Sequence, residues 1–151
     1  MRKDIYLNDQ PTVEVDYKAL HPNFLLIELG ADTSVIDPYD LESLILPEKV
    51  PDLKMQRAYV KSLILMAINA DSANLAFAAF RYDAKKGEIA GGLTNAELQK
   101  LLDGFTDRFP ELKEALNTGR ALQLMNKDST IANMVIDHFT QKDIPVLCIH
   151  D

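Results

Sequence analysis

A chain of 151 residues with a formal net charge of −7 can bury one real core, but it lacks the Lys/Arg excess with which proteins grip phosphate backbones unaided. Hydrophobic residues at 47% and charged residues at 26% exclude a disordered or membrane-embedded chain and suit an ordinary soluble domain. The single cysteine, Cys148, excludes an internal disulfide and makes a reducing, cytoplasmic compartment the expectation.

The start, MRKDIYLNDQ, lacks the apolar core of a secretory leader. A short strand is expected at residues 5–7, ahead of the Asn8-Asp9 turn signal. Residues 12–17 alternate, with Val13, Val15 and Tyr17 on one face and Glu14 and Asp16 on the other. That period of two predicts a β-strand. Leu20, Phe24, Leu25 and Leu29 then recur near 3.6 and predict a helix, stopped at Gly30. Pro38 is placed to open a short helix, and residues 47–51 form a connector.

Residues 53–69 predict the long helix, with Tyr59, Val60, Leu63, Ile64, Ala67 and Ile68 at intervals of three and four. The run 63–68 is the longest strongly apolar one and is far too short to cross a bilayer. Asp71 or Ser72 can cap a further helix through residues 74–80, followed by a polar loop over 82–92. Thr94 and Glu97 have capping-box spacing for a helix towards Arg108. Pro110 starts another segment, expected to end near Asn117-Thr118-Gly119. A helix over residues 122–139, interrupted around 126–129, precedes a β-rich run at 144–149 that leads into His150-Asp151. Met55, Met66, Met125 and Met134 read as core filler. The expected class is α+β, a mostly helical single domain over residues 1–151 around a small antiparallel sheet.

Asp16 and Asp151 each end an apolar strand pattern. Paired strands would bring the two carboxylates together, and like charges in apposition repel unless a cation neutralises them. The pair is therefore a candidate Mg2+ site of the kind used in two-metal phosphoryl transfer. The plainer alternatives are a solvated strand-end aspartate and a frayed terminus. His21 and His138 have no metal-ligand spacing to each other, and no glycine-rich phosphate loop or nucleophile elbow is present.

V-E-V-D-Y-K-A-L-H-P resembles motif A of the family A DNA polymerases, roughly D-Y-S-Q-I-E-L-R, with Asp16 and Tyr17 on its first two positions. L-C-I-H-D resembles motif C, with His150 and Asp151 on its H-D pair, which phage-type single-subunit RNA polymerases share. Arg57-Ala58-Tyr59-Val60-Lys61 has the Arg-x3-Lys spacing of motif B. Residues at i and i+4 share a helix face, so both cations could meet one triphosphate; a solvated basic face is the commoner cause of such a pair. Ala121-Leu122-Gln123 is similar to the glutamine-bearing segment ahead of motif C. Phage and mobile-element proteins carry similar D-Y-x-x-L-H-P and I-P-V-L-x-I-H-D segments, which suggests a divergent branch.

The resemblance implies a palm-and-fingers-like module serving DNA replication. Asp16 and Asp151 would be catalytic and bind Mg2+, and Arg57, Lys61, His150 and Gln123 would contact the nucleotide. Nucleic acid and a nucleoside triphosphate would be the partners, and no membrane. The departures are specific: His21 and Asn23 stand where motif A has Glu and Arg, and Asn69-Ala70 replaces the Tyr-Gly of motif B. Nothing follows Asp151 to complete the motif C hairpin. The expectation is a reduced, C-terminally incomplete nucleotidyltransferase domain, inactive alone, that pairs with a missing C-terminal segment or forms a homo-oligomer. The alternative is a non-enzymatic interaction module of phage or mobile-element origin, self-associating through an open sheet edge.

Overall fold

Helix α2 (Leu53–Asn69) is the axis of the core, because Gln56, Val60, Leu63, Ile64, Ala67 and Ile68 fall on one buried face. The computed structural model describes residues 5–34, 37–85 and 87–148. Asp52 caps α2 by accepting from the Met55 amide, which satisfies one of the orphan donors of the first turn. Helix α1 (Leu20–Glu28) precedes it, and α3 (Ala73–Asp83), α4 (Asn95–Arg108) and α5 (Ala121–Thr140) follow. Short 3-10 turns at Ile89–Gly92 and Pro110–Leu112 link them.

Ser72 caps α3, and the expected capping box of Thr94 and Glu97 opens α4. These are local devices that work whatever the tertiary surroundings. Phe77 and Phe80 of α3 and Leu98, Leu101 and Phe105 of α4 bury against α2 in a continuous apolar core. Tyr59 meets Phe80 edge to face at 5.8 Å.

The last carbonyls of α2 have no helical donors and are met from far along the chain. Asn117 N–H donates to Ala67 O at 2.7 Å, Arg120 N–H to Ile68 O at 3.2 Å and Gly119 N–H to Ala70 O at 3.1 Å. The turn that makes this possible needs positive φ at Asn117 (58°) and Gly119 (65°). It places the start of α5 against the end of α2.

The sheet is a minimal hairpin. β1 (Tyr6–Leu7) pairs antiparallel with β2 (Gln10–Pro11), Tyr6 opposite Pro11 and Leu7 opposite Gln10. Asn8 and Asp9 both take positive φ, as a two-residue hairpin turn requires. The class is broadly α+β, predominantly helical with this two-stranded sheet. Among the described residues no helix is long and apolar enough to cross a membrane.

Several expectations are corrected. Residues 12–17 form no strand. Thr12 bonds back to Ile5 O through its amide at 3.3 Å and its hydroxyl at 3.0 Å, while the amides of Val13, Val15, Asp16 and Tyr17 donate to no backbone carbonyl among the described residues; alternation alone does not make a ladder. Residues 144–148 form no strand either; Pro145 has no amide to give to one. Ile149, His150 and Asp151 lie outside the described residues. The stretch after Asp37 is a turn rather than a helix, with the Asp37 carboxylate accepting from the Tyr39 amide, the competing local bond that aspartate offers. α5 runs without interruption through 126–129. Met125 and Met134 are exposed, not core.

Candidate functional site

Two adjoining clefts of about 500 and 830 Å3 open where the N-terminal segment, α5 and the C-terminal segment come together. They share Val13, Val15, Asp16 and residues 144–147 as lining, so they form one groove. Its floor is α5, which presents Asp128, Ala132, Val135, Ile136 and Phe139. That spacing of four, three, one and three is one helix face. The apolar periodicity was there to be read in the sequence, but nothing local marked it as the wall of a site.

Asp16 is exposed and lines both clefts, and Cys148 lines the larger one. The segment carrying Asp16 and the segment leading to His150-Asp151 therefore share one groove although they lie at opposite ends of the chain. His150 and Asp151 themselves lie outside the described residues, so the distance between the two carboxylates is not defined. Among the described residues no group of three His, Cys, Asp or Glu side chains comes together. The walls of the groove carry Glu14, Asp16 and Asp128 and no Lys, Arg or His among the described lining residues.

Arg57 and Lys61 lie on α2, and neither lines the groove. Arg57 Nε donates to Asp37 Oδ2 at 2.5 Å. Partial burial pulls the Asp37 carboxyl upward, but hydrogen bonds from Arg57 and the Tyr39 amide, with the charges of Arg57 and Arg108, outweigh it and hold the group below its ordinary range. Beside it, burial and then the Asp37 charge push the Tyr39 phenol up to about 12. Arg108 completes this cluster by pairing with Glu42 at 3.2 Å. Lys61 is exposed.

Gln123, at the start of α5, accepts from Arg120 Nε at 3.3 Å. Arg120 also pairs with Glu28 of α1 at 2.5 Å, and Lys127 pairs with the same carboxylate. The side chains of the nucleotide set that are described are thus divided. Arg57 faces the 37–42 loop, and Gln123 sits where α1 and α5 meet.

Gln56 is a residue whose role sequence reading passed over. It is 1% exposed, its Oε1 accepts from the Ile45 amide at 2.6 Å and its Nε2 donates to the Ser43 carbonyl at 2.7 Å. It ties to α2 the loop that carries Asp37, and so sets the place of the carboxylate that holds Arg57. Its interval of four to Val60 put it on the apolar face, which was the available signal. Comparisons with models of known protein families, with curated proteins and with solved structures each return no match.

Proposed function

We propose that the chain is a reduced palm-like module whose inherited chemistry is Mg2+-dependent nucleotidyl transfer, with Asp16 and Asp151 as the metal-binding carboxylates. What supports this is one juxtaposition: the segment bearing Asp16 and the segment that runs towards His150-Asp151 line the same groove. An exposed carboxylate suits Mg2+, which keeps several waters and takes only one or two protein carboxylates. When bound, the metal would neutralise charge on a phosphoryl group and steady the oxygens around it. The role of Asp16 is to hold it. Arg57 and Lys61 do not line the groove, and Arg57 is held by Asp37, so neither is assigned to a triphosphate there.

Turnover by this chain alone is not expected. Phosphoryl transfer depends on positioning, and an error of about 1 Å costs on the order of a hundredfold. A net charge of −7 also repels a nucleic-acid duplex rather than steering it in. The second reading, a non-enzymatic interaction module, is favoured by the apolar groove itself, where Val13 and Val15 are 88% and 82% exposed.

The test is magnesium titration followed by NMR, with primer extension in Mg2+ or Mn2+, on the wild type and Asp16→Ala. Weak Mg2+ binding centred on Asp16, lost in the variant, and no incorporation by either protein are expected. Template-dependent incorporation that disappears in Asp16→Ala would make the chain an active enzyme. No metal response at Asp16 and no incorporation would retire the nucleotidyl-transfer reading and leave the interaction module.

A further inference from the structure

We propose that α5 pairs antiparallel with α5 of a second copy of this chain, through a seam of Leu122, Met125, Ser129, Ala132, Ile136 and Phe139. These residues recur at intervals of three and four along the helix, the spacing with which one helix presents a continuous stripe to another. Leu122 and Met125 are 75% and 56% exposed, and Ser129 is exposed. Ala132, Ile136 and Phe139 are half-buried and line the larger cleft. The helix therefore offers apolar side chains that stand out near its start and an apolar recess beside its end. α1 does not obstruct the seam: it meets α5 on another side, where Phe24 lies with Lys127, Thr130 and Ile131.

The occupant follows from how the stripe maps onto itself. In an antiparallel pair, Leu122 of each copy stands beside the second copy's Phe139 and Met125 beside its Ile136. Twofold symmetry then brings the projecting residues into the recess twice. The middle of the seam is Ser129 beside Ala132, two small side chains that let the helix axes approach closely. The same register sets Asp128 against the second copy's Asn133, whose amide can donate to the carboxylate. A parallel pair would instead set Asp128 against Asp128, and like charges across an interface are costly. Six residues from each copy are fewer than the roughly 20–30 of a standard interface, so the dimer is weak and forms only as concentration rises. Two chains of net charge −7 repel each other, and salt screens that repulsion while leaving the apolar seam intact. The inference stands apart from nucleotidyl transfer, since it needs neither a metal nor Asp151.

The experiment is sedimentation velocity on the whole chain from about 10 µM to about 1 mM, with circular dichroism to check the fold of each variant. A monomer–dimer equilibrium that strengthens with added salt is expected. Leu122→Glu alters an exposed residue, so the fold stays intact. The change enters the interface twice, and should weaken the dimer by about tenfold or more. Thr130→Glu adds the same charge at an exposed position off the seam and should leave the dimer within about twofold of wild type. Asn133→Lys should strengthen it about fivefold, through two solvated ion pairs with Asp128, and Asn133→Asp should weaken it by a similar factor. Four results would each overturn the proposal: a chain still monomeric at about 1 mM, a dimer that salt dissolves, Leu122→Glu acting no more than Thr130→Glu, or the two Asn133 variants acting alike.

Discussion

Replacing Gln56 with leucine removes two hydrogen bonds without opening a hole. The side chain is 1% exposed, and leucine fills a similar volume, so the cavity penalty that accompanies truncation is small. What remains is the Ile45 amide and the Ser43 carbonyl without the partners they hold at 2.6 and 2.7 Å. A buried polar group left unsatisfied costs about 1–3 kcal/mol. Ser43 is exposed and Ile45 half-buried, so water recovers part of the loss, and the added apolar burial offsets about 1 kcal/mol. The net expectation is a destabilisation of about 1.5–3 kcal/mol. At about 2–4 °C per kcal/mol for a chain of this size, Tm falls by about 3–12 °C. Urea denaturation followed by circular dichroism measures the first figure, and the exchange rate of the Ile45 amide reports the local effect. Arg57→Leu should cost less, about 0–1 kcal/mol, because its ion pair with Asp37 has side chains 43% and 34% exposed and is screened by solvent. A Gln56→Leu protein within about 0.5 kcal/mol of wild type, the usual range of inconsequential surface changes, with an unchanged Ile45 amide, would refute the account of this loop.

Gly119→Ala should destabilise by about 1–2 kcal/mol in urea denaturation, since φ is +65° and a Cβ would stand 2.3 Å from Asp71 Oδ1. Adding Asp71→Ala relieves the contact but not the backbone strain, so full recovery in the double variant would argue against the strain. Glu97 is held at about 2, against an ordinary 4.5, by the Lys49 ammonium and then by the Thr94 amide and hydroxyl. A carboxyl depressed in the folded state stabilises above its unfolded pKa, and that stabilisation fades as pH falls from about 4.5 towards about 2. Glu97→Gln should therefore flatten the stability curve in that window and leave its slope near neutrality unchanged; an unaltered acid limb would count against the linkage.

Helix α2 was legible to the residue because everything that defines it is local: a period near 3.6 from Tyr59 to Ile68, a connector with prolines before it and Asn69-Ala70 after it. The caps at Ser72 and Thr94 were legible for the same reason. The alternation of residues 12–17 was equally clear, yet it describes only a willingness to pair, and pairing is settled by what stands alongside. The same limit applies at the site. The i, i+4 spacing of Arg57 and Lys61 could be read off the chain, but the carboxylate that holds Arg57 lies twenty residues earlier, in a loop whose position depends on Gln56. Asp16 could be singled out by sequence, whereas its neighbours across the groove, Ile136 and Phe139, come from a helix more than a hundred residues away.

Of the twenty residues of α5, Leu124 is the one fully buried. The fastenings described for this helix gather at its first two turns, through the Arg120 amide on α2 and the Glu28 pairs with Arg120 and Lys127. The remainder, residues 128–140, is a stiff arm of roughly 20 Å at 1.5 Å per residue, clamped at one end. A tilt of about 5° at the clamp displaces the far end by roughly 2 Å over that length. Phe139 rides near the tip and Asp128 near the pivot, so the two ends of the groove widen unequally. Such a tilt would change the width beside Phe139 more than the width beside Asp128 and would leave the core around α2 in place.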